Sequence, residues 1–247
     1  MNKLLAALLA CIAMPTNAAL FDRGGGLIYD DVLNITWLQD ANYAKTSGYD
    51  ADGKMTWDNA KNWAANLKYY DSVRDVNFND WRLPTVNPIN GSSFDYSRSV
   101  DGTTDDGFSI SKPGTAYAGS TGSEMAYMYY VNLSNPSYYT TYDAPAEVLS
   151  GCYVSAQDTC LDNVGPFANL NPVAYWSNSE YPVQTYAWVF DMETGYQSMD
   201  TKDDFYYAWA VRPGDVAAIP EPSTYVLMLA GLGLVGMAAR RNSKQAI

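Results

Sequence analysis

The most constraining feature of the sequence is an uncharged, apolar stretch close to the C-terminus. Residues 224–239 carry no charged side chain, and Arg240 and Arg241 follow at once. A helix of this length spans about 24 Å, against a membrane hydrocarbon core of about 30 Å. The pattern predicts a short transmembrane helix at about 224–239, with the basic residues on the cytoplasmic side and the preceding chain outside.

The glycines inside this stretch, Gly231, Gly233 and Gly236, have the spacing of a dinucleotide-binding loop. Such a loop requires a preceding strand and a following βαβ unit, whereas this sequence ends 11 residues after Gly236. We therefore interpret the glycines as small residues of a membrane helix and not as a nucleotide site.

The N-terminus has the pattern of a secretory signal peptide over residues 1–18. Lys3 supplies the positive start, residues 4–14 form an apolar run, and residues 16–18 form a small-residue cleavage site. A lipoprotein signal is the alternative, because the residues that lead to Cys11 approximate a lipoprotein cleavage box. Both interpretations predict export.

The order of features at the C-terminus resembles a known sorting signal. Pro220, Glu221 and Pro222 precede the apolar stretch, and Arg240 and Arg241 follow it. Residues 220–247 thereby resemble the PEP-CTERM sorting signal. The resemblance implies an exosortase as partner, transient anchoring in the inner membrane, removal of the tail near Pro-Glu-Pro, and a final location at the cell surface or in an exopolysaccharide matrix. A plain membrane anchor is the alternative.

Charge and composition exclude several functions. Without its two terminal signals the chain keeps 11 basic and 26 acidic residues, a net charge of −15. Such a surface repels phosphate backbones, so nucleic acid is excluded as a partner. The sequence has no histidine, which removes Ser-His-Asp and Cys-His catalysis and the commonest transition-metal ligand.

The body, residues 20–212, is predicted to form one domain, followed by a proline-punctuated linker at 213–219. Residues 27–37 read as two short strands joined by a turn, and residues 55–67 as a helix whose Trp57 and Trp63 face the core. A further helix is predicted at residues 123–133, and strands are predicted at residues 175–180, 187–191 and 206–212.

Five segments of the body occur in the order of a family named after the C-terminal domain of a bacterial collagen-like adhesin. They read LIYDDVLNITWLQDANYA, MTWDNAKNWAANL, DWRLPT, YWSNSEY and AWAVRPGD, and the resemblance spans residues 27–215. It implies an α+β fold: a single compact domain of the C-type-lectin-like or formylglycine-generating-enzyme-like kind, with loop-rich insertions, followed by the C-terminal transmembrane helix. The adhesin domain is associated with sulphated glycosaminoglycans, and the acidic body departs from that preference.

Cys152 and Cys160 are the two cysteines outside the signal peptide. Because the predicted signals export the chain to an oxidising compartment, we expect these cysteines to form a disulfide. The loop that this bridge closes is short, so its expected contribution to stability is about 2.5 kcal/mol on the chain-entropy model.

Two aspartate-rich turns raise the question of calcium. Asp50 and Asp52 lie in the first turn, and Asp101, Asp105 and Asp106 in the second. Calcium prefers six to eight oxygen ligands, which closely spaced carboxylates supply, but neither turn has the pattern of an EF-hand. Solvated turns without a cofactor are expected, with calcium as the alternative.

Trp81 and Arg82 of the DWRLPT segment are candidates for a sugar-binding platform, because aromatic faces and planar donors suit carbohydrate rings. A structural role, in which Arg82 pairs with a carboxylate or with buried carbonyls, is the expected alternative. These residues complete the set of candidate sites.

The expected function is that of an exported surface or matrix protein that binds neutral or cation-bridged polysaccharide and is not an enzyme. One alternative is a carboxylate-based glycan hydrolase, because acidic residues are abundant. The other is a purely structural matrix protein that acts through protein–protein contacts, with the tyrosine-rich residues 127–142 as its contact surface.

Overall fold

The computed structural model describes residues 20–139, residue 152 and residues 159–216. This part of the chain is mostly β structure. Its strands are β1 (Leu20–Asp22), β2 (Leu27–Asp30), β3 (Ile35–Leu38), β4 (Lys54–Met55), β5 (Tyr69–Asp71), β6 (Val76–Phe78), β7 (Arg98–Ser99), β8 (Asp106–Gly107), β9 (Ala174–Glu180), β10 (Tyr186–Asp191), β11 (Tyr196–Thr201), β12 (Tyr206–Tyr207) and β13 (Val211–Pro213).

The strands form two main sheets and a separate hairpin. A four-stranded antiparallel sheet has the order β1-β2-β3-β13, so the first and last strands of the described chain belong to one sheet. A seven-stranded sheet has the order β4-β12-β9-β10-β11-β8-β7, in which β12–β9 and β7–β8 are parallel pairs. Strands β5 and β6 form the hairpin.

The helices of the described chain are short: α1 (Tyr43–Thr46), α2 (Trp57–Asn66) and α3 (Glu124–Tyr127), which continues as a π-helical turn over Met128–Asn132. Helix α2 buries Trp57, Ala60, Trp63 and Ala64, a spacing that places all four on one helical face. The predicted helix is thus confirmed. Its N-cap residue, Thr56, makes no side-chain capping bond.

Buried tryptophans hold the two sheets and helix α2 together. The indole N–H of Trp209 donates to the carbonyl of Leu38, and that of Trp57 donates to the carbonyl of Ser177, each at 2.8 Å. Each of these bonds joins residues more than 100 positions apart. Tryptophan side chains combine a large apolar area with a polar N–H. They therefore fix the layers both by burial and by a directional hydrogen bond.

The structure corrects the expected fold class. The α+β expectation is wrong, because β strands dominate and the longest helix in the described chain has 10 residues. None of the described helices is long and apolar enough to cross a membrane. The transmembrane helix expected at residues 224–239 lies outside the described residues.

The strand expected at residues 206–212 is two strands. Tyr206–Tyr207 pairs with the seven-stranded sheet, whereas Val211–Pro213 pairs with β3 in the four-stranded sheet. Between them Ala208, Trp209 and Ala210 are buried, so an almost continuously apolar run crosses from one sheet to the other. Packing continues past Arg212 to Val216, which is 5% exposed in the core.

Candidate functional site

Trp81, one half of the expected sugar platform, lies in the core. It is 3% exposed, its indole N–H donates to the carbonyl of Phe78 at 3.1 Å, and Tyr69 packs edge-on against its ring. This burial leaves no open aromatic face on which a sugar ring stacks.

Arg82 is engaged by an acidic partner far away in sequence. Its guanidinium forms two hydrogen bonds of 2.7 Å to the carboxylate of Glu124 and one of 3.0 Å to the carbonyl of Leu83. Glu124 also accepts the backbone N–H of Thr85 at 2.7 Å. This bidentate pair fastens the DWRLPT segment to the start of α3. Nothing in the local sequence pointed to Glu124.

In the first aspartate-rich turn the carboxylates bind the turn's own backbone. Asp50 accepts the N–H groups of Asp52 and Gly53, at 3.0 and 2.7 Å, and Asp52 accepts the N–H of Lys54 at 3.0 Å. The bond from Lys54 holds the pKa of Asp52 below its ordinary value. Asp52 itself is exposed to solvent.

The second aspartate-rich turn divides into an exposed and a buried half. Asp101 is exposed and accepts both the N–H and the hydroxyl of Thr103. Asp105 is fully buried, and Asp106 is 8% exposed and accepts the Tyr196 hydroxyl at 3.0 Å. Burial raises the pKa of both buried carboxyl groups.

These aspartates do not assemble into a metal centre. Within the described part of the chain, no group of three or more acidic or cysteine side chains is arranged to hold a metal ion. Their carboxylates are instead committed to backbone N–H groups and hydroxyls nearby.

The structure places Cys152 and Cys160 in a disulfide. Cys160 is fully buried in the core, and its carbonyl accepts the hydroxyl of Tyr129 at 2.8 Å. The bridge therefore attaches Cys152 to the buried tyrosines of the π-helical turn. In the protein-contact surface expected at residues 127–142, Tyr127, Tyr129 and Tyr130 are at most 4% exposed, and residues 140–142 lie outside the described residues.

A further candidate for a binding site in the described part of the chain is a polar pocket of about 330 Å³, which the sequence reasoning missed. Its walls come from three places: helix α1 and the residue before it, the segment that leads to β9, and β12. The lining residues are Asn42, Lys45, Thr46, Asn169, Asn171 and Tyr207.

The pocket is built on a pairing between chain segments about 130 residues apart. Asp40 forms a parallel bridge with Ala168, and the backbone N–H of Ala41 donates to the Ala168 carbonyl at 2.9 Å. One oxygen of the Asp40 carboxylate accepts the Asn42 backbone N–H at 2.9 Å and the Asn169 side-chain amide at 3.0 Å. Asp40 thus fixes two walls of the pocket at once.

The far wall is fixed in a similar way. The side-chain amide of Asn171 donates to the carbonyl of Asn169 at 2.8 Å, and its backbone N–H donates to the Tyr175 hydroxyl at 2.9 Å. The Tyr207 ring packs against Tyr175 with centroids 5.4 Å apart. These contacts leave the pocket with amides, an ammonium group, a hydroxyl and an aromatic ring as its chemical groups.

Such a lining suits hydroxyl-rich ligands. Side-chain amides offer both donors and acceptors, Lys45 offers donors only, and Thr46 offers both. The lining includes no carboxylate and no cysteine. Single-sequence reasoning had no signal for this site, because asparagines at 42, 169 and 171 resemble ordinary turn residues until the fold brings them together.

Residues 218–242 match the model of the PEP-CTERM protein-sorting motif. The match includes the expected sorting residues, although these lie outside the described part of the chain: Pro220, Glu221, Pro222, Arg240 and Arg241. No curated protein and no solved structure matches the chain. The adhesin-domain resemblance of the body has no support from these comparisons.

The matched motif is a protein-sorting signal, and it implies export and sorting to the cell surface. The predicted exosortase partner is thereby supported at the level of the motif. The predicted signal peptide at residues 1–18 lies outside the described residues and stays a prediction.

Proposed function

We propose that the body of this exported protein binds neutral polysaccharide at the cell surface and does not act as an enzyme. The observation that carries the proposal is the pocket lined by three asparagines, a threonine, a lysine and a tyrosine. Small-molecule sites use a few convergent polar groups beside an aromatic surface, and sugar hydroxyls match amide and ammonium groups.

The chemistry of the lining supports binding without turnover. Glycoside hydrolysis uses two carboxyl groups that flank the scissile bond, and the pocket lining contains none. The nearby Asp40 already accepts two hydrogen bonds from the pocket's own walls. With histidine absent from the sequence, the commonest general base is also missing.

A neutral ligand is favoured by the charge of the body. At a net charge of −15, a polyanion meets repulsion that increases as the ionic strength falls, whereas hydrogen bonding to an uncharged glycan has no such dependence. Lys45 acts in this proposal as a donor to sugar hydroxyls.

The test is binding of the full chain, in non-ionic detergent, to soluble neutral polysaccharides by native affinity electrophoresis. We expect Lys45→Ala and Thr46→Ala each to weaken retention about fivefold, the loss of one hydrogen bond. The matched controls are Lys68→Ala and Thr185→Ala, at exposed positions outside the pocket lining, and both should bind as the parent does.

Two results would overturn the proposal. One is equal retention of the pocket variants and the parent chain. The other is release of reducing ends from a bound polysaccharide, if a single Asp→Asn substitution abolishes that release.

A further inference from the structure

An aromatic surface lies outside the pocket, where a loop packs against Trp188 of strand β10 in the seven-stranded sheet. Phe94, Tyr96 and Trp188 have nearly parallel rings, with interplanar angles of 19–26° and centroids 5.6–6.1 Å apart. Tyr181 stands edge-on to both Tyr96 and Trp188, at 5.0 and 5.1 Å. We call these four residues the aromatic platform.

The platform runs from the interior to the surface. Trp188, on β10, is fully buried, whereas Phe94 and Tyr181 are half-buried and Tyr96 is 40% exposed. Tyr96 is therefore the most accessible ring of the platform, and the buried Trp188 stacks against it from the interior. Offset stacking of this kind is favourable for each pair of rings.

The loop that carries Phe94 and Tyr96 is held in place by a single buried carboxylate. Asp105 accepts the backbone N–H of Ile89 with one oxygen and that of Asp95 with the other, both at 2.8 Å. The backbone N–H of Asp105 in turn donates to the Asp95 carbonyl at 3.0 Å. The two rings are thus ordered before any ligand arrives, which lowers the entropy cost of binding.

Trp188 is kept at this position at a cost. Its buried indole N–H has no hydrogen-bond partner in the described part of the chain, and an unsatisfied buried donor is unfavourable. A phenylalanine would fill an apolar site without that penalty. The wide ring of Trp188 stacks against both Phe94 and Tyr96.

We propose that the aromatic platform is a second glycan subsite, on which a pyranose ring of a neutral polysaccharide stacks against the exposed face of Tyr96. Aromatic faces bind the apolar C–H face of a sugar ring, and the phenol hydroxyls of Tyr96 and Tyr181 suit its polar rim. The subsite rests on the proposed function, since it deepens the same polysaccharide binding with a second point of contact.

Charge selects a neutral occupant over an anionic one. Asp95 is exposed next to Tyr96, and the N–H of Ser97 holds the pKa of its carboxyl below the ordinary value. Asp95 is therefore ionised at neutral pH and repels sugar carboxylates, sulphates and phosphates. An uncharged sugar ring meets no such repulsion.

The experiment measures retention of the full chain, in non-ionic detergent, by gels that contain hydroxyethylcellulose, galactomannan, dextran or the polyuronate alginate. We expect retention by at least one of the three neutral polymers. Tyr96→Ala should weaken that retention about tenfold, the loss of one stacking contact. The matched control is Tyr70→Ala, at an exposed tyrosine on β5, which should leave retention unchanged.

A second readout reports on the site directly. Because Trp188 contacts both Phe94 and Tyr96, binding of the neutral polymer should change tryptophan emission in the parent chain. The same polymer should produce a smaller change in Tyr96→Ala. Phe94→Ala should weaken retention as well, since it removes a neighbour of the exposed ring.

The variants distinguish failure of the platform proposal from failure of the pocket proposal. If Tyr96→Ala is retained as the parent is while Lys45→Ala is not, the platform proposal is wrong and the pocket stands. If Tyr96→Ala alone loses retention, the platform stands and the pocket proposal is wrong. Retention by alginate alone, or dissociation of a self-associated chain by Tyr96→Ala in gel filtration, would overturn the platform proposal. Retention by none of the polymers would overturn both.

Discussion

Two aspartate-rich segments, Asp50–Lys54 and Asp101–Gly107, have similar sequences and different structures. The first is a surface turn, in which Asp52 is exposed and the carboxylates accept N–H groups no more than three residues away. In the second, Asp105 is fully buried and accepts N–H groups from residues 10 and 16 positions away.

The difference shows that an aspartate's role depends on what the rest of the fold places around it. The carbonyl of Asp105 accepts the side-chain amide of Gln197 at 2.7 Å, a residue on β11, which pairs with β8. The second segment is thus built into a sheet, whereas the first forms a turn before β4 that is bonded to nearby Asn42 and Ala44. Three tests from the largest to the smallest expected effect examine this contrast.

The largest contrast is expected at the glycine of each segment. A Cβ on Gly107, at φ +150°, would lie 2.1 Å from the backbone carbonyl oxygen of Ser99 on the paired strand β7. For a Cβ on Gly53, at φ +88°, the nearest atoms belong to the side chain of Asn42 and not to the backbone, so a side-chain adjustment relieves the contact. We expect Gly107→Ala to lower the unfolding free energy by more than about 3 kcal/mol, and Gly53→Ala by about 1–2 kcal/mol.

Urea denaturation followed by circular dichroism measures both glycine variants. Equal losses would mean that the second segment is no more tightly built than the first.

The next contrast lies between Asp105→Ala and Asp52→Ala. Removing the Asp105 carboxylate leaves the buried N–H groups of Ile89 and Asp95 without their acceptor, at a cost of about 2–4 kcal/mol. Asp52→Ala removes one exposed acceptor of the Lys54 N–H, and it should lower the unfolding midpoint only slightly. Since Asp105 also holds the loop of the aromatic platform, Asp105→Ala should change the fluorescence of Trp188 before global unfolding. A parent-like midpoint for Asp105→Ala would contradict the role of the Asp105 carboxylate in holding the loop.

The smallest contrast is the sign of a pH dependence. Burial raises the pKa of Asp106 above the ordinary value of 3.8, so the folded chain holds that proton more tightly than the unfolded chain. As the pH rises from 3.8 through the folded pKa, the stability contribution of Asp106 falls. Asp106→Asn keeps an acceptor for Tyr196. It should therefore raise the free energy of unfolding above that of the parent at neutral pH, and this gain should shrink on acidification.

Asp52 should show the opposite trend. Its pKa is lowered by the Lys54 N–H, so its stabilising contribution is present above 3.8 and is lost as the pH falls through the folded pKa. Asp52→Asn should then lower the free energy of unfolding at neutral pH and leave it unchanged in acid. Denaturation series between about pH 7 and about pH 3 compare the two variants with the parent. If the stability difference between variant and parent changes with pH in the same direction for both variants, the opposite effects expected for the buried Asp106 and the exposed Asp52 are wrong.

Local signals in the sequence predicted elements whose cause is local. The apolar spacing of α2 and the strand–turn–strand pattern of residues 27–37 are both confirmed, as helix α2 and as the β2–β3 pair. Each depends on residues within one turn or one hairpin of one another. The predicted fold class was wrong, because the α+β architecture was expected from a family resemblance and not from a local sequence pattern.

The candidate site was predicted least well. Trp81 and Arg82 were considered both as a sugar platform and as structural residues, and burial of Trp81 and the pairing of Arg82 with Glu124 favour the structural interpretation. The pocket depends on a bridge between Asp40 and Ala168, which no short-range pattern encodes. Asparagine and threonine are common in turns, so their type alone carries no information about a site.

The sequence by itself determined the destination of this protein and the chemistry that it lacks. The sorting motif at residues 218–242 is recognised as a linear segment, and the absence of histidine follows from composition. The tertiary structure alone decided which aspartates are buried, how residues 206–212 divide between two sheets, and which side chains form the pocket and the platform. These features arise from contacts between residues far apart in the chain, whose burial and hydrogen bonding exist only after the sheets have assembled.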